Sequence, residues 1–434
     1  MNDRRLIAVI VFLTCIACGT SIANGEKAIG AINAYVEAYR DMAAFDGVVI
    51  IADGGDIVFR EAFGKADYIY DRAMAPDGVF RIGSLSKQVT QAAIGRLADR
   101  DALALDDTLA DFLPDFPRAS DITIRQLIDH TSGVAHTNRL TWMDMRLTYT
   151  LEEIVDQLGR EPLLFEPGSD RQYSNGGYAL LAAVVEVASG QAFAEFIDGE
   201  FAQQGFPSLG HEEAYAVVPG MVTRYAPGPT YGERVLADTY MSVNRIGGGS
   251  LYASPDDVLN FFRASFGGDL LSPEMTAALF EKPGDGDIQI TGRSPGALAQ
   301  VYLDFDDDLA VVTMSSNSAW PGSFNSDIVA LYRGEDASLT EFSVNDAPMN
   351  DADRASITGD FVADRFGWEW TIVPHGDQFA VRRNELHTAF VRTTDGEFHV
   401  PIYDWLCQYS AYGTEFECRQ RDPDADIRFR FTRQ

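Results

Sequence analysis

Lysine is the residue this chain most nearly does without: Lys27, Lys65, Lys87 and Lys282 are the only four in 434 residues. Arginine supplies the remaining cations, and acidic side chains outnumber both to a formal net charge of −31. So little positive charge argues against binding to nucleic acid or anionic membrane, since both need clustered cations. The acidic balance does not by itself point to a cationic substrate and reads as a solubility device. Histidine is scarce too. His130, His136, His211, His375, His387 and His399 show no His-x-x-x-His spacing, so no metal site is expected, and no other cofactor is expected either. No apolar run is long enough to span a bilayer comfortably.

Cysteine is confined to Cys15, Cys18, Cys407 and Cys418. The first pair falls in what reads as a signal peptide over residues 1–23. Arg4 and Arg5 form its charged start, Leu6 to Cys18 its short apolar stretch, and Ser21-Ile22-Ala23 a small-x-small cleavage signal before Asn24. A lipoprotein anchored at Cys18 is the alternative, although Cys15 stands where an aliphatic residue is expected. Either way the mature chain is expected outside the cytoplasm, periplasmic or secreted. In that oxidising setting Cys407 and Cys418 are expected to form a disulfide, with buried free thiols as the alternative.

The length implies more than one domain. Ile29 to Ala44 has helical spacing, and Gly47 to Ala52 and Asp56 to Phe63 read as strands around the turn Asp53-Gly54-Gly55. A helix is expected from Leu85 to about Arg100, then a mostly helical stretch to about Phe266. Strands return at Leu298 to Phe305 and Leu309 to Met314, and Asn325 to Arg333 reads as a closing helix. Strands at both ends with helices between predict a mixed α/β fold over 25–333: one antiparallel sheet flanked by helices, with a helical lobe and a cleft between them. Residues 334–352 are acidic and fit a linker. Residues 353–434, rich in aromatic and β-branched runs, predict a small all-β domain, barrel or sandwich.

Two short segments carry candidate chemistry. In Ser84-Leu85-Ser86-Lys87 a serine and a lysine sit one helical turn apart. A serine hydroxyl is a weak nucleophile, and a lysine whose pKa is lowered by burial or a neighbouring cation can serve as its base. A helix N-cap followed by a solvated lysine explains the same four residues. In Tyr173-Ser174-Asn175 a phenol able to shuttle a proton stands beside an amide able to hold a substrate carbonyl or the lysine. A turn tyrosine that merely packs its ring is the plainer alternative.

Taken with their neighbours, these segments resemble the serine β-lactamase and penicillin-binding-protein superfamily, nearest its class C β-lactamase, D-aminopeptidase and carboxylesterase branch. The resemblance runs over about residues 45 to 333. It rests on Phe80 to Lys87, Leu105-Asp106-Asp107, His130-Thr131-Ser132-Gly133, Phe165-x-Pro167-Gly168, Tyr173-Ser174-Asn175 and Gly248 to Tyr252. It implies an acyl-enzyme on Ser84, a general-base role shared by Lys87 and Tyr173, and substrate positioning by Asn175. His130 would brace a loop, and the trailing β domain resembles a lipocalin-like extension found in some members.

The third motif departs from the pattern. Family members place Lys or His, a small residue and Gly on a strand lining the cleft, whereas here Ile290 precedes Thr291 and Gly292. An aliphatic side chain can neither bias a tyrosine toward phenolate nor attract a carboxylate. Strand alternation turns Arg293 away from the face of residue 290, but its backbone N–H could complete an oxyanion hole with that of Ser84. Gly292-Arg293-Ser294-Pro295-Gly296 also matches a nucleophile elbow, but the residue after the serine is Pro295, which has no N–H to donate. The expected activity is therefore a serine hydrolase of small-molecule or peptide substrates. Esters and D-amino-acid peptides or amides come ahead of β-lactams, with peptidoglycan-derived peptides among the candidates. A catalytically weak penicillin-binding or scaffold protein is the alternative.

Overall fold

The computed structural model describes residues 27–137, 143–144, 146–213, 216–237, 242–284, 286–317, 319, 323–337, 349–364, 368–383, 386–401, 405–410, 414–420 and 428–434. The expected leader and its cleavage site lie outside these, as does 338–348 of the expected linker. The last two residues of that linker already belong to a helix, Asp351–Ile357. Among the described residues no single helix is long and apolar enough to cross a membrane.

The chain folds as two compact units. One comprises Asp46–Ala226 and Val235–Ser318; the other takes the residues up to Phe45, Pro227–Arg234 and Ala319–Gln434. The first is built on a five-stranded antiparallel sheet ordered Asp287–Ser294, Ala297–Asp304, Leu309–Ser315, Gly47–Asp53, Asp56–Phe63. Its middle strands are mostly apolar and buried along their whole length. The outermost strands alternate or face solvent. Local chemistry sets the turns. Gly54 and Gly55, at φ of +56° and +91°, supply the two left-handed residues a tight hairpin needs. Asp304 Oδ1 accepts the N–H groups of Asp306 and Asp307 at 3.0 and 3.1 Å to close the other hairpin. Helices start where the side chains allow: Thr150 and Glu153 form a capping box on Leu151–Leu158, and Ser254 with Pro255 opens Pro255–Gly267.

In the second unit, the helix over 27–41 packs through Tyr35 and Tyr39 on Phe324 of the helix Phe324–Arg333, with ring centroids 5.1–5.2 Å apart. Tyr35 Oη donates to Asp327 Oδ2 at 2.6 Å. Arg234 Nη2 donates to Arg40 C=O at 2.7 Å and Ala389 N–H to Gly228 C=O at 2.8 Å, which joins 27–45, 227–234 and 319–333 to the C-terminal strands.

Those strands form a closed eight-stranded barrel from Gly359–Ala363 to Arg428–Arg433, each antiparallel to the next, shut by the pairing of Phe361 with Arg433. Its interior is filled by rings: Trp370 stacks on Phe431 at 4.1 Å and Phe390 on Phe398 at 4.7 Å, and Phe361 meets Phe416 edge to face at 4.9 Å. Eight strands leave room for side chains of this kind. Cys407 and Cys418 face each other on adjacent strands and are bonded, with an S–S distance of 2.07 Å.

Candidate active site

Ser84 is held by a change of direction. Phe80–Arg81 pairs with Leu251–Ala253, Ile82 N–H donates to Leu251 C=O at 3.0 Å, and the chain then turns through Gly83–Leu85 into the helix Ser86–Ala98. Gly83 is at φ +51°, and a Cβ there would lie 2.6 Å from the backbone nitrogen of Arg293. Only glycine permits both the conformation and the approach. Ser86 Oγ accepts Leu251 N–H at 3.1 Å and Thr90 donates to Gly247 C=O at 2.7 Å, which fixes the helix start against the Gly247–Gly249 turn. Lys87 therefore points inward, with 3% of its surface exposed.

Tyr173 reaches the same point from the other side. Ser174 caps the helix Asn175–Ser189, accepting Gly177 N–H at 3.0 Å and donating to Ala135 C=O at 3.0 Å. This anchors the residue before the helix, and Tyr173 Oη donates to Ser84 Oγ at 2.8 Å. Lys87 Nζ donates to Asn175 Oδ1 at 2.7 Å and to Gly248 C=O at 2.5 Å. It lies 4.6 Å from the Tyr173 ring and 5.3 Å from that of Tyr178. Of the two duties open to Asn175, the structure places it on the lysine.

Electrostatics follow from this packing. Burial above all, and then the Arg245 guanidinium, push the Lys87 ammonium well below its ordinary range, which favours the neutral amine. Burial raises the Tyr173 phenol, opposed by its hydrogen bond to Ser84 and by Arg245, so its resting form is the phenol. His130 is pushed down to about 4, first by burial and then by Lys87, and is neutral at pH 7. Its Nδ1 accepts Ser174 N–H at 3.2 Å, and its ring packs at a tilt against that of Tyr173, with centroids 4.6 Å apart. It braces the tyrosine.

The third-motif strand Asp287–Ser294 is the edge of the sheet. Ile288 and Ile290 turn inward onto the hydrophobic core, while Thr291 and Arg293 carry exposed side chains on the other face. Thr291 Oγ1 accepts Gln300 Nε2 at 3.0 Å. Gly292 is wedged against the Ser84 turn: a Cβ there would lie 1.9 Å from Ile82 C=O. Arg293 C=O accepts Arg245 Nη1 at 3.4 Å, so this carbonyl points off the sheet edge. In an antiparallel strand the N–H of a residue shares the direction of its C=O. The Arg293 N–H thus faces the Gly83–Ser84 turn, where an oxyanion pocket needs a donor.

The structure brings Ser84, Lys87, Tyr173, Asn175 and the backbone of Arg293 together and turns the side chains of Thr291 and Arg293 away from Ile290. Sequence reasoning missed Tyr178, the second ring beside Lys87, and Arg245. The only signal for Arg245 was a cation two residues ahead of three consecutive glycines.

A buried lysine beside a serine at a helix start, packed on the edge of an antiparallel sheet, defines the β-lactamase and transpeptidase class of fold. The chain belongs to the β-lactamase family, whose pattern it matches over residues 32–304, well over half its length. Penicillin-binding protein 4* of Bacillus subtilis (strain 168) is 31% identical over 257 residues, 54% of this chain and 55% of that protein. The chain thus spans about half the length of that relative. Esterase EstB of Burkholderia gladioli is 32% identical over 306 residues, 60% of this chain and 75% of that protein. Among solved structures, SurE superposes with a TM-score of 0.62 over 95% of this chain and 100% of that one. At 19% identity that likeness concerns the fold alone.

Proposed function

We propose that the protein is an exported serine hydrolase that works through an acyl-enzyme on Ser84. Its substrates are esters or D-amino-acid-containing peptides and amides, and β-lactams are poor substrates. The observation that carries this reading is the 2.8 Å hydrogen bond between Tyr173 Oη and Ser84 Oγ beside a desolvated Lys87. Ser84 Oγ attacks the carbonyl carbon, and its proton passes to the Lys87–Tyr173 pair, whose amine is the stronger base. The Ser84 and Arg293 N–H groups receive the oxyanion. The pair returns the proton to the leaving group as the bond breaks. Water then repeats the sequence on the ester: its proton goes to the pair, its oxygen to the carbonyl, and Ser84 recovers its hydrogen.

The kinship with an esterase and a penicillin-binding protein supports this substrate range, and Ile290 in place of a cation supports the low rank of β-lactams. The Cys407–Cys418 bond supports an oxidising compartment. The test is turnover of a short-chain p-nitrophenyl ester, a chromogenic cephalosporin and a D-amino-acid peptide by mature protein and by Ser84→Ala. Turnover surviving in Ser84→Ala sinks the nucleophile. Covalent labelling by a fluorescent penicillin without turnover of any substrate favours the penicillin-binding scaffold that Ile290 suggests. Intact mass of the exported protein should begin at Asn24, and a lipidated Cys18 overturns the cleavage site.

A further inference from the structure

Four arginines bear on the cleft position that Ile290 leaves without charge: Arg125, Arg171, Arg245 and Arg293. The Arg293 guanidinium is on the outer face of the strand, opposite Ile290. Arg171 lines a cavity of about 470 Å³ with Ile290, Asp129 and Arg125, and the groups it influences there are His130, Tyr178 and Asp129. Arg245 is placed differently. Its backbone carbonyl accepts the N–H groups of Gly248 and Gly249, both at 2.8 Å, and the Gly248 carbonyl in turn holds Lys87. Its side chain lies over Gly249, where a Cβ would sit 3.1 Å from Arg245 Cδ and 3.8 Å from the Gly83 carbonyl carbon. From there its guanidinium reaches the Arg293 carbonyl at 3.4 Å, beside the donor assigned to the oxyanion.

We propose that Arg245 is the specificity-determining cation of this cleft, binding the carboxylate of substrates that carry one next to the scissile bond, in place of a basic residue at position 290. This rests on the acyl-enzyme reading of Ser84. A planar guanidinium suits a carboxylate through two parallel hydrogen bonds. The same charge acts on the proton-handling pair, lowering both Lys87 and Tyr173. The groups facing Lys87 are Arg245, His130 and the Tyr173 and Tyr178 rings, so Arg245 is the permanent cation among them.

Binding is measured in Ser84→Ala protein, by calorimetry, for N-acetyl-D-alanyl-D-alanine and its C-terminal amide, alone and with Arg245→Gln or Arg245→Lys. The expected result is a preference of about tenfold or more for the acid, lost in Arg245→Gln and only partly kept in Arg245→Lys, whose ammonium keeps the charge but not the two parallel bonds. No preference for the acid, a preference that survives Arg245→Gln, or equal weakening of both ligands overturns the proposal. With otherwise wild-type protein and neutral p-nitrophenyl acetate, Arg245→Gln should move the acid limb of kcat/KM to higher pH, because removing a cation lets Lys87 hold its proton longer. An unmoved limb overturns the proton-pair half. If p-nitrophenyl acetate turnover is instead indifferent to Ser84→Ala, the acyl-enzyme reading fails while the binding comparison stands.

Discussion

The cleft and the barrel both bury aromatic rings, to opposite ends. In the barrel, Trp370, Phe431, Phe390 and Phe398 lie on one another, and ring burial there adds directly to stability. In the cleft, Tyr173 and Tyr178 lie against the buried amino group of Lys87, which has two hydrogen-bond acceptors. That burial opposes the charged form of Lys87 and so works against stability at neutral pH, while making the lysine a usable base. A ring is stabilising where its neighbour is another ring and activating where its neighbour must lose a proton.

Substitutions that separate the two ends test this contrast. The largest effect is expected for Ser84→Ala, a fall in kcat/KM of about 10⁵-fold with a melting temperature within a few degrees of wild type. Next comes Trp370→Ala, which should destabilise by about 3–5 kcal/mol, as deletion of a fully buried indole does. Assayed well below its transition, the folded Trp370→Ala protein should keep its kcat/KM. Denaturant unfolding and kinetics on the same preparations decide the matter, and a Trp370→Ala protein that is stable but inactive breaks the division of labour.

The pH dependence of stability sharpens it further. Lys87 and His130 both have folded-state pKa values below their ordinary ones, so the unfolded chain binds more protons and stability rises with pH through each window. For His130 the window runs from about 4 to its ordinary 6.5. The stability it contributes is present above 6.5 and lost as pH falls through about 4, roughly 1–3 kcal/mol in all. His130→Asn, which keeps an acceptor for Ser174 N–H, should flatten that part of the curve. His211 is depressed to about 4 as well, so only the difference between wild type and His130→Asn isolates the brace. Identical curves would mean that His130 is not held neutral by its burial.

Much of this was legible in the chain. The turn at Gly54-Gly55, the helix after Ser84 and the paired Tyr173 and Asn175 all announce themselves within a few residues, because capping and turn chemistry are local. What escaped is non-local. Closure of the barrel depends on Phe361 meeting Arg433, and nothing in either strand alone distinguishes that from a sandwich. The helix over 27–41 shows an apolar stripe, but its partner lies almost 300 positions away, at Asp327 and Phe324. Arg245 gains meaning only where the sheet edge brings the Arg293 carbonyl, 48 positions away, beside it.

The smallest expected effect is the most discriminating. Ile290 faces a cavity lined by Gln88, Gln91, Asp129 and Arg171, which has room and hydrogen-bonding partners for an imidazole. Ile290→His therefore restores a basic residue at the family's usual position without overfilling the core. If Arg245 already binds the substrate carboxylate, Ile290→His should raise kcat/KM for N-acetyl-D-alanyl-D-alanine by no more than a few-fold in wild type. In Arg245→Gln it should raise it about tenfold, the size of one charge-assisted contact. The double-mutant cycle measures the coupling between the two positions. Equal gains in both backgrounds would place the two cations in independent roles. A large gain in wild type would show that the cleft lacks an anion anchor and that Arg245 is only a strap between the glycine turn and the sheet edge.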